Sequence, residues 1–173
     1  VLYKRVSDPK FRVLLPGFDA DYSPVDCKDD RLYYETNRDA SNYALMKVDL
    51  NRPGMIETVI PESEKNLLED VGTGGGYLFA SYLENAQNRV RQYTYDGKPV
   101  RTVDLPAIGT VGGFGGKDED TEFYYTLANY TAPATIYKYD IASGESKLYK
   151  APEVNFDPSL FVTEQVFYTS KDG

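Results

Sequence analysis

Two glycine-rich segments come closest to the composition of a chemical site. Gly72-Thr73-Gly74-Gly75-Gly76-Tyr77 starts like the loop that sets backbone N–H groups against a dinucleotide pyrophosphate. However, Tyr77 stands where the third glycine belongs, and a strand pattern follows instead of a helix. Gly112-Gly113-Phe114-Gly115-Gly116-Lys117-Asp118 resembles a loop that cradles nucleotide phosphates. Here Asp118 replaces the Ser or Thr whose hydroxyl would meet Mg²⁺, and no helix pattern follows. Both segments read as turns. Asp118-Glu119-Asp120-Thr121-Glu122 is dense in carboxylates but lacks the glycine and distal glutamate of a calcium loop, so it reads as a solvated acidic turn. Asn129-Tyr130-Thr131 is a glycosylation sequon that nothing else in the sequence supports.

Absences carry more weight. The 173 residues contain no histidine, so the chain holds no Ser-His-Asp triad, no Cys-His dyad and no His-ligated metal site. Cys27 is the single cysteine, which excludes an internal disulfide and a Cys-only zinc site, and is compatible with either cytoplasm or periplasm. There is no Gly-x-Ser-x-Gly elbow, and no carboxylate pair stands out for glycosidase chemistry. The expectation is no catalytic residue, no metal and no cofactor. Lys plus Arg number 19 against 27 Asp plus Glu, a net charge of −8, which disfavours nucleic acid and anionic membrane surfaces as partners.

The elements that carry these segments repeat. Three aromatic strands, residues 31–36, 77–82 and 122–127, start 46 and 45 residues apart. A second strand follows each (43–49, 90–96 and 135–140) and ends in Asp49, Asp96 and Asp140. A short closing strand comes next (57–60, 100–103 and 147–150), and a further strand precedes each aromatic one (21–26, 67–71 and 109–114). Four short strands in about 45 residues is the repeat of a propeller blade. The 16 Tyr, 14 Gly and 10 Pro favour strands and turns. In Tyr137-Lys138-Tyr139 every second residue is large, which puts the aromatic rings on one face to pack against a neighbouring blade.

The predicted fold is therefore all-β: a partial β-propeller of about three complete four-stranded antiparallel blades plus a remnant of a preceding one. Residues 1–17 would end that preceding blade. Blades would occupy 18–61, 62–106 and 107–151, and 152–173 would form a connection and first strand towards a further domain. Closed propellers have about 4–8 blades. Val1 is not a methionine, and Asp172-Gly173 is a turn signal with no strand after it, so the chain reads as a fragment. An open arc exposes blade faces, which predicts association of the isolated piece as a dimer.

Several segments resemble the prolyl oligopeptidase (prolyl endopeptidase) family of serine peptidases. Thr36-Asn37-Arg38 with Asn42-Tyr43-Ala44-Leu45 is similar to the family's Thr-Asn-Arg…Asn-Tyr-x-Leu stretch. Pro61-Glu62-Ser63-Glu64-Lys65-Asn66-Leu67-Leu68-Glu69 resembles its Pro-Glu-x-Glu-Lys-x-x-Leu-Glu run. Residues 120–125 with 132–140 look like its late-propeller signature, and 165–173 like the strand that leaves the propeller for the peptidase domain. Asp70 and Ser63 depart from the pattern, standing where relatives can carry Trp and His.

The resemblance implies a seven-bladed propeller that covers the triad of an α/β-hydrolase domain and filters substrates by size. The parent would cleave short peptides after proline. This chain would supply the end of blade four and blades five to seven, with no triad residue of its own. Its partners would be the peptidase domain, the remaining blades and short proline-containing peptides. Asp26 and Asp70 are the candidates for lining the central tunnel, where carboxylates shape the local potential. The alternative is a fragment of a protein-binding propeller scaffold without a peptidase. Zero His and zero Trp exclude the Gly-His…Trp-Asp pattern of one such class.

Overall fold

A computed structural model of the chain describes residues 1–156 and 160–171. Among the described residues fourteen strands run β1 (Leu2–Tyr3), β2 (Arg12–Val13), β3 (Tyr22–Lys28), β4 (Arg31–Thr36), β5 (Ala44–Asp49), β6 (Arg52–Ile60) and β7 (Leu67–Gly74). They continue with β8 (Tyr77–Glu84), β9 (Gln87–Tyr93), β10 (Pro99–Thr102), β11 (Thr110–Gly112), β12 (Glu122–Ala128), β13 (Thr135–Asp140) and β14 (Ser146–Lys150). β3–β6, β7–β10 and β11–β14 each form a four-stranded antiparallel sheet in simple up-and-down order, and β1 pairs with β2. These three sheets are the first, second and third blades of a partial propeller.

Period-two alternation explains how the blades stack. In β8, Leu78, Ala80 and Tyr82 point into a core shared with Tyr33, Leu45, Ile60, Leu68 and Val71 of the first seam. Phe79, from the intervening position, points the other way, into a core with Phe114, Phe123, Tyr125 and Tyr139 of the third blade. β8 is thus buried on both faces, whereas β12 buries only Phe123, Tyr125 and Leu127 and leaves Tyr124 exposed. A smaller core joins Tyr34 and Val48 of the first blade to Leu14 and Leu15, beside the β1–β2 pair. The edge strands β6 and β14 are mostly exposed, as expected where only one neighbour supplies hydrogen bonds.

Several strand limits differ from the sequence expectation; β9, expected over 90–96, spans Gln87–Tyr93, so Asp96 lies in the turn after it and does not end the strand. β6 begins at Arg52 and not near residue 57, because Asp49 pairs with Arg52 across a tight turn despite Pro53 and Gly54. β7 runs on through Gly74 and β8 starts at Tyr77, so four residues of the first glycine-rich segment are strand and only Gly75 and Gly76, with φ of +56° and +79°, make the turn. The strand expected over 165–173 is not formed over residues 165–171, which run as an irregular segment; Asp172 and Gly173 lie outside the described residues. Gln165 instead docks on the β8–β9 turn, its amide meeting Gln87 at 2.9 Å and donating to the Asn85 carbonyl.

Candidate functional site: carboxylates along the blade seams

The two glycine-rich segments meet each other. The Gly116 N–H donates to the Thr73 carbonyl at 2.6 Å, and the Gly75 N–H donates to the Lys117 carbonyl at 2.9 Å. A Cβ on Gly72 would lie 2.0 Å from the Phe114 carbonyl oxygen. These glycines therefore let two backbones touch across the second seam, and two of the N–H donors that a phosphate would need, those of Gly75 and Gly116, are spent on that contact. The acidic turn is likewise self-satisfied: Asp120 accepts the Lys117 N–H at 2.7 Å, and Asp118 pairs with Lys28 at 2.7 Å. Among the described residues no group of three or more acidic, Cys or His side chains is placed to hold a metal ion. The Asn129 side-chain carbonyl accepts the N–H groups of Thr131 and Ala132, capping its own turn.

Asp26 sits in β3, the first strand of its blade, just after a bulge between Pro24 and Asp26. It does not stand free. Its Oδ2 accepts the Tyr95 hydroxyl at 2.5 Å across the first seam, and its Oδ1 accepts the Cys27 N–H at 2.7 Å. Burial, then the hydrogen bond to Asp26, push the Tyr95 phenol well above its ordinary pKa, so it remains a donor. The Tyr95 ring meets Tyr33 edge-on at 5.0 Å and lies under the Lys28 ammonium at 4.4 Å. Because Lys28 also reaches Asp118, this cluster ties side chains of all three blades together. Partial burial, followed by the charges of Asp26 and Asp30, raises the Cys27 thiol pKa and leaves it a poor nucleophile.

Asp70 occupies β7, again beside a bulge, between Leu68 and Asp70, and it is exposed. Its notable neighbour is Glu35 of β4, a carboxyl only 8% exposed and on the face of the first blade that meets the second. Burial pushes the Glu35 pKa up to about 7, the Asp70 charge adds to this, and the Val71 backbone N–H offsets part of it. Ser23, Glu35, Tyr43, Leu67, Leu68 and Glu69 line a cleft of about 360 Å³ at this seam. The structure thus ties Asp26 to Tyr95 and sets Asp70 beside Glu35; the two aspartates belong to different clusters.

Sequence reasoning passed over Glu35, Tyr95 and Lys28. For Glu35 a signal was present. It aligns with Ser81 and Thr126 in the aromatic strands, so a polar side chain recurs at one position and only in the first blade does it ionise. Tyr95 and Lys28 gave none, since their partners lie 69 and 90 residues away.

Comparison with known proteins places this geometry. The family described as "Prolyl oligopeptidase, N-terminal beta-propeller domain" matches residues 1–152. The prolyl endopeptidase of Elizabethkingia meningoseptica is 42% identical over 166 residues, covering 94% of this chain and 23% of that protein. The dual function macrocyclase-peptidase POPB of Galerina marginata is 27% identical over 169 residues, covering 94% and 23%. Among solved structures, one from a study of two prolyl endopeptidases superposes with a TM-score of 0.89 at 36% identity, covering 99% of this chain and 26% of that one. Prolyl oligopeptidase B of Galerina marginata, bound to a 35-residue substrate, gives 0.81 at 25% identity, covering 95% and 24%. The chain therefore spans about a quarter of the length of the relatives it matches.

Proposed function

Since the chain belongs to the prolyl oligopeptidase family, as part of its N-terminal β-propeller, we propose that it serves as the non-catalytic cover of a proline-specific serine endopeptidase. The observation that carries this is the match of residues 1–152 to that propeller by a chain that has no histidine and so no triad of its own. A cover acts by limiting access and by keeping water from the chemistry. The three blades contribute walls: packed seams hold them side by side, and the carboxylates of the first strands, Asp26 and Asp70, give the tunnel side a negative potential. Short peptides pass such a filter and folded proteins do not. The partners are the peptidase domain, the remaining blades and short proline-containing peptides.

The test is hydrolysis of a proline-containing chromogenic peptide. The purified chain should give no turnover above buffer, and the same residues within a full-length parent should accompany cleavage after proline. Turnover by the chain alone would sink this reading. The isolated chain should also pair as a dimer through its open blade face, where Tyr124, Leu148 and Tyr149 are exposed. A concentration-independent monomer in light scattering would count against the pairing.

A further inference from the structure

The first seam contains a buried ionisable group for which the cover has no evident use. Glu35 projects from β4 towards the second blade and is 8% exposed. Among the described residues, the charged groups placed beside it are acidic. From β7 come Asp70, whose charge acts on it directly, and Glu69, which lines the same cleft and accepts the Asn88 amide at 2.5 Å. From the segment before β5 comes Tyr43, whose hydroxyl is held by Asp21 at 2.6 Å, so that Asp21 adds a further negative charge at one remove. From β3 comes Ser23, which is neutral. Among the described residues no Lys or Arg forms an ion pair with Glu35. An ionised carboxylate at this place has lost much of its water and gained no cation, whereas a neutral carboxyl is tolerated.

Position makes this matter for the blades. The Leu68 N–H donates to the Asn42 carbonyl at 3.0 Å, a backbone hydrogen bond from the second blade to the first. Leu67 and Leu68 line the same cleft as Glu35. Water drawn in to solvate a Glu35 carboxylate would enter between these strands. The equivalent position on the second blade is Ser81, which faces the third blade and carries no charge at any ordinary pH.

We propose that Glu35 makes the seam between the first and second blades a pH-dependent joint, sealed when its carboxyl is neutral and loosened when it is ionised beside Asp70. Its midpoint falls near neutrality, in keeping with the upward push that burial gives this group, to about 7. The inference rests on the chemistry of the seam and not on the peptidase reading, so either can fail alone.

The test is amide hydrogen exchange in the full 173-residue chain between pH 5.5 and 8.5, corrected for the intrinsic rate. Protection of the Leu68 N–H should fall about tenfold or more, relative to the Val111 N–H that crosses the second seam to Asn88, with a midpoint near 7. Glu35→Gln should flatten this dependence and Asp70→Asn should move its midpoint to lower pH. A ratio that stays flat in the unaltered chain overturns the proposal. So does a pH dependence that survives in Glu35→Gln. If that variant fails to fold, the ¹³C shift of the Glu35 carboxyl in the unaltered chain decides: titration near 7 supports the joint, and titration at about 4–5 overturns it.

Discussion

The two blade seams solve one packing problem with different chemistry. The second is aromatic: Phe79, Phe114, Phe123, Tyr125 and Tyr139 interlock, with ring centroids 4.7–5.7 Å apart and several pairs edge-to-face. The glycine-rich backbones also touch there, closing the seam with two main-chain hydrogen bonds. The first seam is mostly aliphatic, with Leu45, Val59, Ile60, Leu68, Val71 and Leu78, and admits Glu35 and the Asp26–Tyr95 pair. Rings and backbone contacts make a joint insensitive to solution conditions. Carboxylates make one that responds to pH and salt.

The largest expected effect breaks the insensitive side of this contrast. Phe114 is 3% exposed and touches Phe79, Phe123, Tyr125 and Tyr139. Phe114→Ala removes all four ring contacts and leaves a cavity lined by rigid rings that relax poorly, so it should cost about 3–5 kcal/mol in urea unfolding. The cost should be the same at pH 5.5 and pH 8, since the cluster contains no group that titrates in that range. A loss under about 1 kcal/mol would show that the second seam is not the rigid one.

A smaller effect with a distinct pH signature tests the first seam. Glu35 has its folded-state pKa raised, to about 7 from an ordinary value of 4.5. Between those values the folded chain holds a proton that the unfolded chain releases, so stability falls as pH rises through the window and levels off above about 7. At roughly 1.4 kcal/mol for each pH unit of the shift, ionisation costs the fold a few kcal/mol at most. Glu35→Gln, which stays neutral, should therefore be more stable than the unaltered chain at pH 8 by one to a few kcal/mol (about the same range) and nearly equal to it at pH 4.5. Parallel unfolding midpoints at both pH values would remove the distinction between the seams.

The difference in chemistry also decides what the sequence revealed. Repeat spacing and alternation disclosed the blades because they are local: Phe123, Tyr125 and Leu127 announce a buried face within seven residues. The family likeness was legible for the same reason, in short runs kept in order. The seams were not, because each joins residues tens of positions apart. The segments holding Gly72 and Gly115 read as turns, and nothing local told that their backbones meet across the seam. Asp26 was picked out for its charge, yet its oxygens are occupied by Tyr95 and Cys27. Glu35 lay in a strand read as packing; its alignment with Ser81 and Thr126 was a local signal, but its burial against Asp70 was not legible.

The Lys28–Asp118 ion pair sharpens the contrast at its weakest point, because it bridges the first blade directly to the third. The 2.7 Å contact is short, but the side chains are 32% and 60% exposed, so solvent screens the attraction and two long side chains lose freedom in making it. Lys28 also covers the Tyr95 ring at 4.4 Å, and its methylenes can keep that contact when the charge is gone. Lys28→Met should thus cost only about 0.2–1 kcal/mol in low salt, and the difference should vanish near 1 M salt, where the Debye length is about 3 Å. A loss above about 2 kcal/mol, or one that persists in high salt, would mean that this ion pair holds the arc as firmly as its aromatic seam does. The split between a rigid and a responsive joint would then have to be redrawn around the strap and not around the blades.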